Sequence, residues 1–173
     1  MRQAIDSYFR QRAEDLLFSG VIRISQGDQV IVEQAYGLAS RTWGIPATVE
    51  TRFDTASLTK LFTAIATLQC MDRGNFSLDT PVIPFLDLQD TSISNEVTVF
   101  QLLTHSSGIG DDSEEEDGED YADLWKTIPN YSIQQTADFL PQFAHKPPNF
   151  PPGAGCRYCN CGFILLGLMT FGE

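Results

Sequence analysis

Apolar residues recur at helical spacing over residues 3–18, where Ile5, Tyr8, Phe9, Leu16 and Leu17 share one side and Gly20 ends the run. The pattern then changes to strand character. Val21-Ile22-Arg23-Ile24-Ser25 and Val30-Ile31-Val32-Glu33-Gln34-Ala35-Tyr36 flank Gly27-Asp28, which predicts an antiparallel hairpin. Residues 37–51 carry no periodicity and read as irregular. Helical spacing returns from Ser57 to Arg73, with Leu58, Leu61, Phe62, Ile65 and Leu68 as its apolar side and Gly74 as its stop. That helix is hydrophobic enough to be placed at the centre of a core. Residues 75–97 read as loop, with Pro81 and Pro84. Thr98 is placed to cap a short helix over 99–104, stopped by Ser107-Gly108. Ser132 and Gln135 read as a capping box for a helix to about Phe143. Pro147, Pro148, Pro151 and Pro152 with Gly153 make a rigid connector, and residues 162–169 read as a short buried helix. No internal repeat is visible.

This inventory is lopsided. Both good strands lie near the start, and a lone hairpin is marginally stable and leaves its edges open. The length of 173 residues suits one domain, and 42% hydrophobic residues exclude a wholly disordered chain. The net charge of −12 argues against nucleic acid or an anionic membrane as partner, since both recruit cationic patches. Residues 111–123 hold nine of the carboxylates with no Lys or Arg, so one segment accounts for most of that charge. It lacks the ligand alternation of a calcium loop and reads as a solvated, mobile loop. Charges throughout residues 1–18 leave no apolar signal core, and no apolar run reaches the roughly 20 residues of a membrane span, so a cytoplasmic location is expected. Cys156, Cys159 and Cys161 crowd into six residues, with Cys70 far off, which fits free thiols in a reducing compartment. A zinc site would need Cys70 or His145 as fourth ligand, so no metal is expected. Cys159, near a helix start, is placed to be a somewhat reactive thiol.

Three constellations carry candidate chemistry. Ser57-Leu58-Thr59-Lys60 sets a hydroxyl and an amine one turn apart at a helix start, over the small residues Ala64 and Thr67. A serine hydroxyl needs a base within hydrogen-bond reach, and a lysine serves if it is held neutral. With 12 Ser and 3 Lys, chance supplies roughly 0.2 such matches, so a capping Ser and a solvated Lys remain an alternative. Tyr158-Cys159-Asn160 offers a phenol and an amide at a loop-to-helix junction; taken alone, a core Tyr and a capping Asn are the plainer account. His105-Ser106-Ser107-Gly108 invites a triad reading, but a triad needs adjacency in space, and a turn-shaping histidine is the plainer account.

In order along the chain, these elements resemble the serine β-lactamase-like family of class C β-lactamases, D-Ala-D-Ala carboxypeptidases and related esterases. The resemblance covers about residues 18–169. It rests on Phe18-Ser19-Gly20-Val21 with Gly37-Leu38-Ala39, on residues 53–64 around Ser57 and Lys60, on Leu78-Asp79-Thr80-Pro81-Val82, on residues 102–109 around His105, and on Pro152-Gly153 through Tyr158-Cys159-Asn160 to Leu165-Leu166-Gly167. It implies an α+β fold, an α/β sandwich with a mixed antiparallel sheet plus a helical region, of β-lactamase/transpeptidase type. Within one incomplete domain spanning 1–173, residues 1–50 would give the helix and hairpin of the sheet layer and 51–173 most of the helical region. It implies Ser57 as acylated nucleophile, Lys60 and Tyr158 sharing proton transfer, Asn160 binding the substrate amide, and His105 and Gly108 as structural residues. No cofactor is implied. The substrate would be a β-lactam, a D-amino-acid peptide or a small ester.

Two departures stand out. Cys159 takes the place usually held by Ser, and no third motif (Lys or His, then Thr or Ser, then Gly) follows Asn160. The family is roughly twice as long, so the resemblance predicts complementation by a missing C-terminal half, or a truncated, non-catalytic binding module. The tail over residues 169–173 is also shorter than the helix the family suggests.

Overall fold

A computed structural model of the chain describes residues 1–114, 117–126 and 128–171. The chain divides into two compact units, Met1–Thr55 and Ala56–Glu173.

In the first unit, α1 (Arg2–Glu14) precedes a hairpin of β1 (Gly20–Gln26) and β2 (Gln29–Tyr36). The register pairs Gly20 with Tyr36 and Gln26 with Gln29, with a bulge at Ile24/Ser25. The predicted hairpin is therefore present, each strand slightly longer than the apolar runs suggest. α1 stops earlier than the sequence pattern, at Glu14, and Leu16 takes a left-handed backbone (φ 59°). One aromatic cluster organises the unit: Phe9 packs on Phe18 (5.0 Å) and on Tyr36 (5.7 Å). The Tyr36 hydroxyl donates to Asp6 at 3.2 Å. The segment expected to be irregular holds a small second ladder, β3 (Leu38–Ser40) against β4 (Ile45–Pro46).

The second unit is built around α5 (Cys161–Phe171). This helix is apolar on nearly every side, as a helix enclosed by others must be, and Leu165 and Leu166 are fully buried. α2 (Thr59–Asp72), α3 (Val82–Phe85) and α4 (Val99–Leu103) pack on it. Thr98 caps α4 as expected, in a capping box completed by Gln101. Val82, Val99, Leu102 and Phe143 join the same core.

Three further expectations change. The apolar stripe of α2 does not face this core: Leu58, Leu61, Phe62, Ile65 and Leu68 are exposed, at 46–72% of their surface. The buried face of α2 carries Thr67 and Cys70 instead, and the Cys70 thiol reaches the Thr170 carbonyl at 3.9 Å. The helix expected over 132–143 is two 3-10 turns, Asn130–Ser132 and Thr136–Gln142; the capping box is Gln135 with Asp138, and Pro141 inside the turn bars α-helical continuation. The third is the acidic segment. Asp111, Asp112 and Ser113 are buried, at 3–5% exposure, and Tyr121–Lys126 forms a 3-10 turn. Two cations reach it from elsewhere in the chain: Arg157 pairs with Glu114 (2.8 Å) and Asp117 (2.9 Å), and Lys146 donates to the Asp112 carbonyl (2.8 Å). Glu115 and Glu116 of that run, and Gly172 and Glu173 of the tail, lie outside the described residues. No helix among the described residues is long and apolar enough to cross a membrane.

Candidate active site

Ala56–Leu58 makes one 3-10 turn before α2, and it opens on a strained backbone: Ala56 has φ 43°. Side chains beyond glycine meet their own carbonyl in that region, at a cost of roughly 1–2 kcal/mol. The turn carries Ser57 ahead of the helix, and Lys60 follows in the first turn of α2. Ser57 Oγ and the Tyr158 hydroxyl lie 2.6 Å apart, close enough for a strong hydrogen bond with either as donor. Lys60 Nζ donates to Asn160 Oδ1 at 2.7 Å and lies 4.7 Å over the Tyr158 ring. All four residues singled out in the sequence thus converge, although 100 or 101 positions separate the bonded partners. Ser57 and Tyr158 are solvent-exposed, so the hydroxyl pair is reachable, while Lys60 and Asn160 are half-buried.

The His105 turn holds the far side of this group in place. His105 is in the left-handed region (φ 56°), and the segment 153–159 runs against it. Gly153 N–H donates to Ser106 O (2.8 Å) and Arg157 N–H to His105 O (2.9 Å). Cys159 N–H donates to His105 Nδ1 at 3.1 Å. An accepting Nδ1 means a neutral imidazole with its proton on Nε2. Burial, and then the charge of Lys60, hold the His105 pKa below its ordinary value and favour that form. Its ring lies between Tyr158 (centroids 4.7 Å) and Phe163 (5.3 Å). His105 therefore supports Tyr158 through its ring. Its contacts with Tyr158 are aromatic, unlike the hydrogen-bonded relay of a triad.

One neighbour of this group escapes sequence reasoning. Asp111, placed in the acidic loop by its neighbours in sequence, sits at the N-terminus of α5. Its carboxylate accepts from Asn160 N–H (2.9 and 3.0 Å), Cys161 N–H (2.9 Å) and the Asn160 side-chain amide (3.3 Å). A carboxylate suits the unpaired donors and positive end of a helix start. Nothing in the chain order pairs Asp111 with Asn160, 49 residues away.

Asp112 and the Cys161 thiol complete the buried cluster. Asp112 N–H donates to Cys161 Sγ (3.1 Å), and Tyr121 donates to the Asp112 carboxyl (3.3 Å). Burial and then the neighbouring Asp111 push the Asp112 pKa up, and burial first of all pushes up the Cys161 thiol. The Tyr121 phenol is pushed up to about 12, by burial and then by Asp112. Among the described residues, Asp111, Asp112 and Cys161 are also the one trio of potential metal ligands within 4.8 Å of one another. The Asp111 oxygens already accept N–H donors, which leaves a hydrogen-bonded cluster rather than a vacant ligand set. Cys156 is exposed and Cys159 and Cys161 are buried, each thiol free.

Comparison with known proteins gives three further findings. The family model described as Beta-lactamase matches residues 5–170. Esterase EstB of Burkholderia gladioli is 32% identical over 164 residues, which cover 89% of this chain and 41% of the esterase. Penicillin-binding protein 4 of Amycolatopsis lactamdurans is 30% identical over 138 residues, covering 78% of this chain and 33% of that protein. Among solved structures, a penicillin binding protein from Bacillus halodurans superposes with a TM-score of 0.82 at 42% identity, over 94% of this chain and 48% of that one. The chain thus spans less than half the length of each of these proteins.

Proposed function

This chain belongs to the beta-lactamase family, and we propose that it carries the nucleophile side of a serine hydrolase site, with Ser57 attacking an ester or amide carbonyl. The observation that carries the reading is the 2.6 Å contact between Ser57 Oγ and the Tyr158 hydroxyl, beside Lys60 held on Asn160 at 2.7 Å. In acylation Oγ forms a bond to the carbonyl carbon and the bond to the leaving alcohol or amine breaks. The Ser57 proton passes to the phenol oxygen of Tyr158, whose own proton goes to the leaving group. The phenol is regenerated in this exchange, and the Lys60 ammonium over its ring stabilises the electron density left on the phenol oxygen as its own proton departs, which makes that oxygen basic enough to take the Ser57 proton. Water then takes the place of the leaving group, and the same relay runs in reverse. Asn160, already accepting from Lys60, offers its amide to a substrate amide or carbonyl.

An ester, a β-lactam and a D-amino-acid peptide all present the carbonyl this relay needs. The names of the relatives, an esterase and penicillin-binding proteins, support that range of substrates. The test is covalent labelling of the chain with a fluorophosphonate and with a fluorescent penicillin, followed by peptide mass mapping. The expected result is one adduct, at Ser57, absent in Ser57→Ala. Labelling that persists in Ser57→Ala, or no adduct with either probe, overturns the assignment. The probe that labels faster distinguishes ester-like from β-lactam-like preference.

A further inference from the structure

We propose that Asp111 is a positioning residue of this site: its buried carboxylate fixes the side-chain amide of Asn160 so that Oδ1, and not the NH₂, meets Lys60. The inference rests on the catalytic reading above and extends it to a residue that touches neither substrate nor nucleophile.

An asparagine amide is two-faced, and its carbonyl and NH₂ ends exchange places by a rotation that hardly changes shape. At Asn160 the two orientations are far from equal. As placed, Oδ1 accepts from the Lys60 ammonium at 2.7 Å and Nδ2 donates to Asp111 at 3.3 Å. Rotated, the NH₂ would face the ammonium and the carbonyl oxygen would face the carboxylate, and both contacts would be repulsive. The amide dipole therefore lies between a cation and an anion that both select one orientation. Lys60 alone would favour it; Asp111 holds it from behind, where solvent cannot compete, since Asp111 is only 5% exposed.

The same carboxylate fixes the backbone under that amide. Both of its oxygens accept from Asn160 N–H, and one also accepts from Cys161 N–H. The Cys159 thiol lies 3.5 Å from Oδ1 as well. Asp111 itself is held by its own N–H on the Glu114 carboxylate at 2.8 Å, and Glu114 is paired with Arg157. Helix start, amide orientation and lysine placement thus converge on one side chain.

The test is a double-mutant cycle on the acylation rate, using Asp111→Asn, Asn160→Ala and the double variant in the full chain. Asp111→Asn is expected to slow acylation about tenfold or more in the parent and to add little in the Asn160→Ala background, because the group it orients is gone. A parental rate in Asp111→Asn, or an equal loss in both backgrounds, overturns the proposal; equal losses would mark a residue that serves stability alone. A second measurement needs neither variant nor activity. The Asn160 side-chain NH₂, followed by ¹H–¹⁵N NMR in the unaltered chain, is expected to exchange with solvent at least about tenfold more slowly than that of the exposed Asn75. Equal exchange overturns the proposal even if Asp111→Asn fails to fold. Failure of the catalytic reading is separately visible, as absence of any Ser57 adduct while the Asn160 amide stays protected.

Discussion

Gly108→Ala tests the turn that presents His105. Gly108 has φ +72°, where a Cβ costs roughly 1–2 kcal/mol through contact with its own backbone. The added methyl would also overlap the Phe150 carbonyl oxygen and stand 2.8 Å from Phe150 Cδ2. The carbonyl is backbone and cannot rotate away, so the 150 segment must move, and such overpacking adds about 1–3 kcal/mol. Movement there also strains the bond from Asn149 N–H to Gly108 O, now 2.7 Å. The expected total is about 2–5 kcal/mol. Gly74→Ala is the internal reference, since Gly74 has φ +80° with nothing within 4 Å of a new Cβ, so only the backbone cost of roughly 1–2 kcal/mol applies. Urea unfolding followed by Trp125 fluorescence, in a Trp43→Phe background, reads the second unit alone. Equal m-values with a larger midpoint loss for Gly108→Ala are expected. If the two alanines cost the same, the close approach to Phe150 is not a constraint and the reasoning fails.

Tyr158→Phe keeps the ring that packs on His105 but removes the partner of Ser57 Oγ, so labelling at Ser57 should slow by about 10²-fold or more with stability nearly unchanged; stopped labelling assays measure this, and an unchanged rate refutes the relay. His105 gives a pH dependence whose sign follows from its lowered pKa. The unfolded chain binds a proton near pH 6.5 while the folded one resists it, so the contribution of His105 to stability is complete above that value and is lost as pH falls toward the folded value. Thermal melts should show this loss on acidification, and His105→Phe should flatten it; a parallel pH profile in the variant counts against the assignment. Leu165→Ala opens a cavity at a fully buried position of α5 and should cost about 2–5 kcal/mol in urea unfolding, whereas a loss below about 1 kcal/mol would place Leu165 outside the core.

Much of this molecule is legible along the chain, and the exceptions share a cause. The hairpin, the Thr98 cap and the buried character of α5 are local signals, set by period and by residues within a turn of each other. The order of weak motifs gives the family, which the match over residues 5–170 establishes. The candidate site residues Ser57, Lys60, Tyr158 and Asn160 lie close in space, with the Tyr158 phenol on the serine hydroxyl and the lysine on Asn160. The α2 stripe illustrates the limit: periodicity says which residues share a side but not which side meets this core, and here Thr67 and Cys70 turn inward. The acidic loop shows the same limit for charge. Asp111 and Asp112 look solvated because their partners, Asn160, Cys161 and Lys146, are 34–50 residues away. The Gln135–Asp138 box lies three residues beyond the expected one, at the start of the 3-10 turn that contains Pro141.

α5 also acts as a gauge for the site. Its first turn follows directly from Asn160, and its depth among the other helices is set by Leu165 and Leu166, which have no free surface. A helix advances 1.5 Å per residue, while a hydrogen bond such as that from Lys60 to Asn160 weakens over a few tenths of an ångström. Slight repacking at the far end of α5 would therefore slide the amide out of reach of the lysine well before it unfolded anything. Volume-conserving core substitutions here, unlike the cavity left by Leu165→Ala, should surface first as slowed labelling at Ser57 with nearly ordinary melting points, and their suppressors should arise on α2 and α4, which abut the same helix. For this unit, the tolerance to which the interior is built is the tolerance to which Asn160 is aimed.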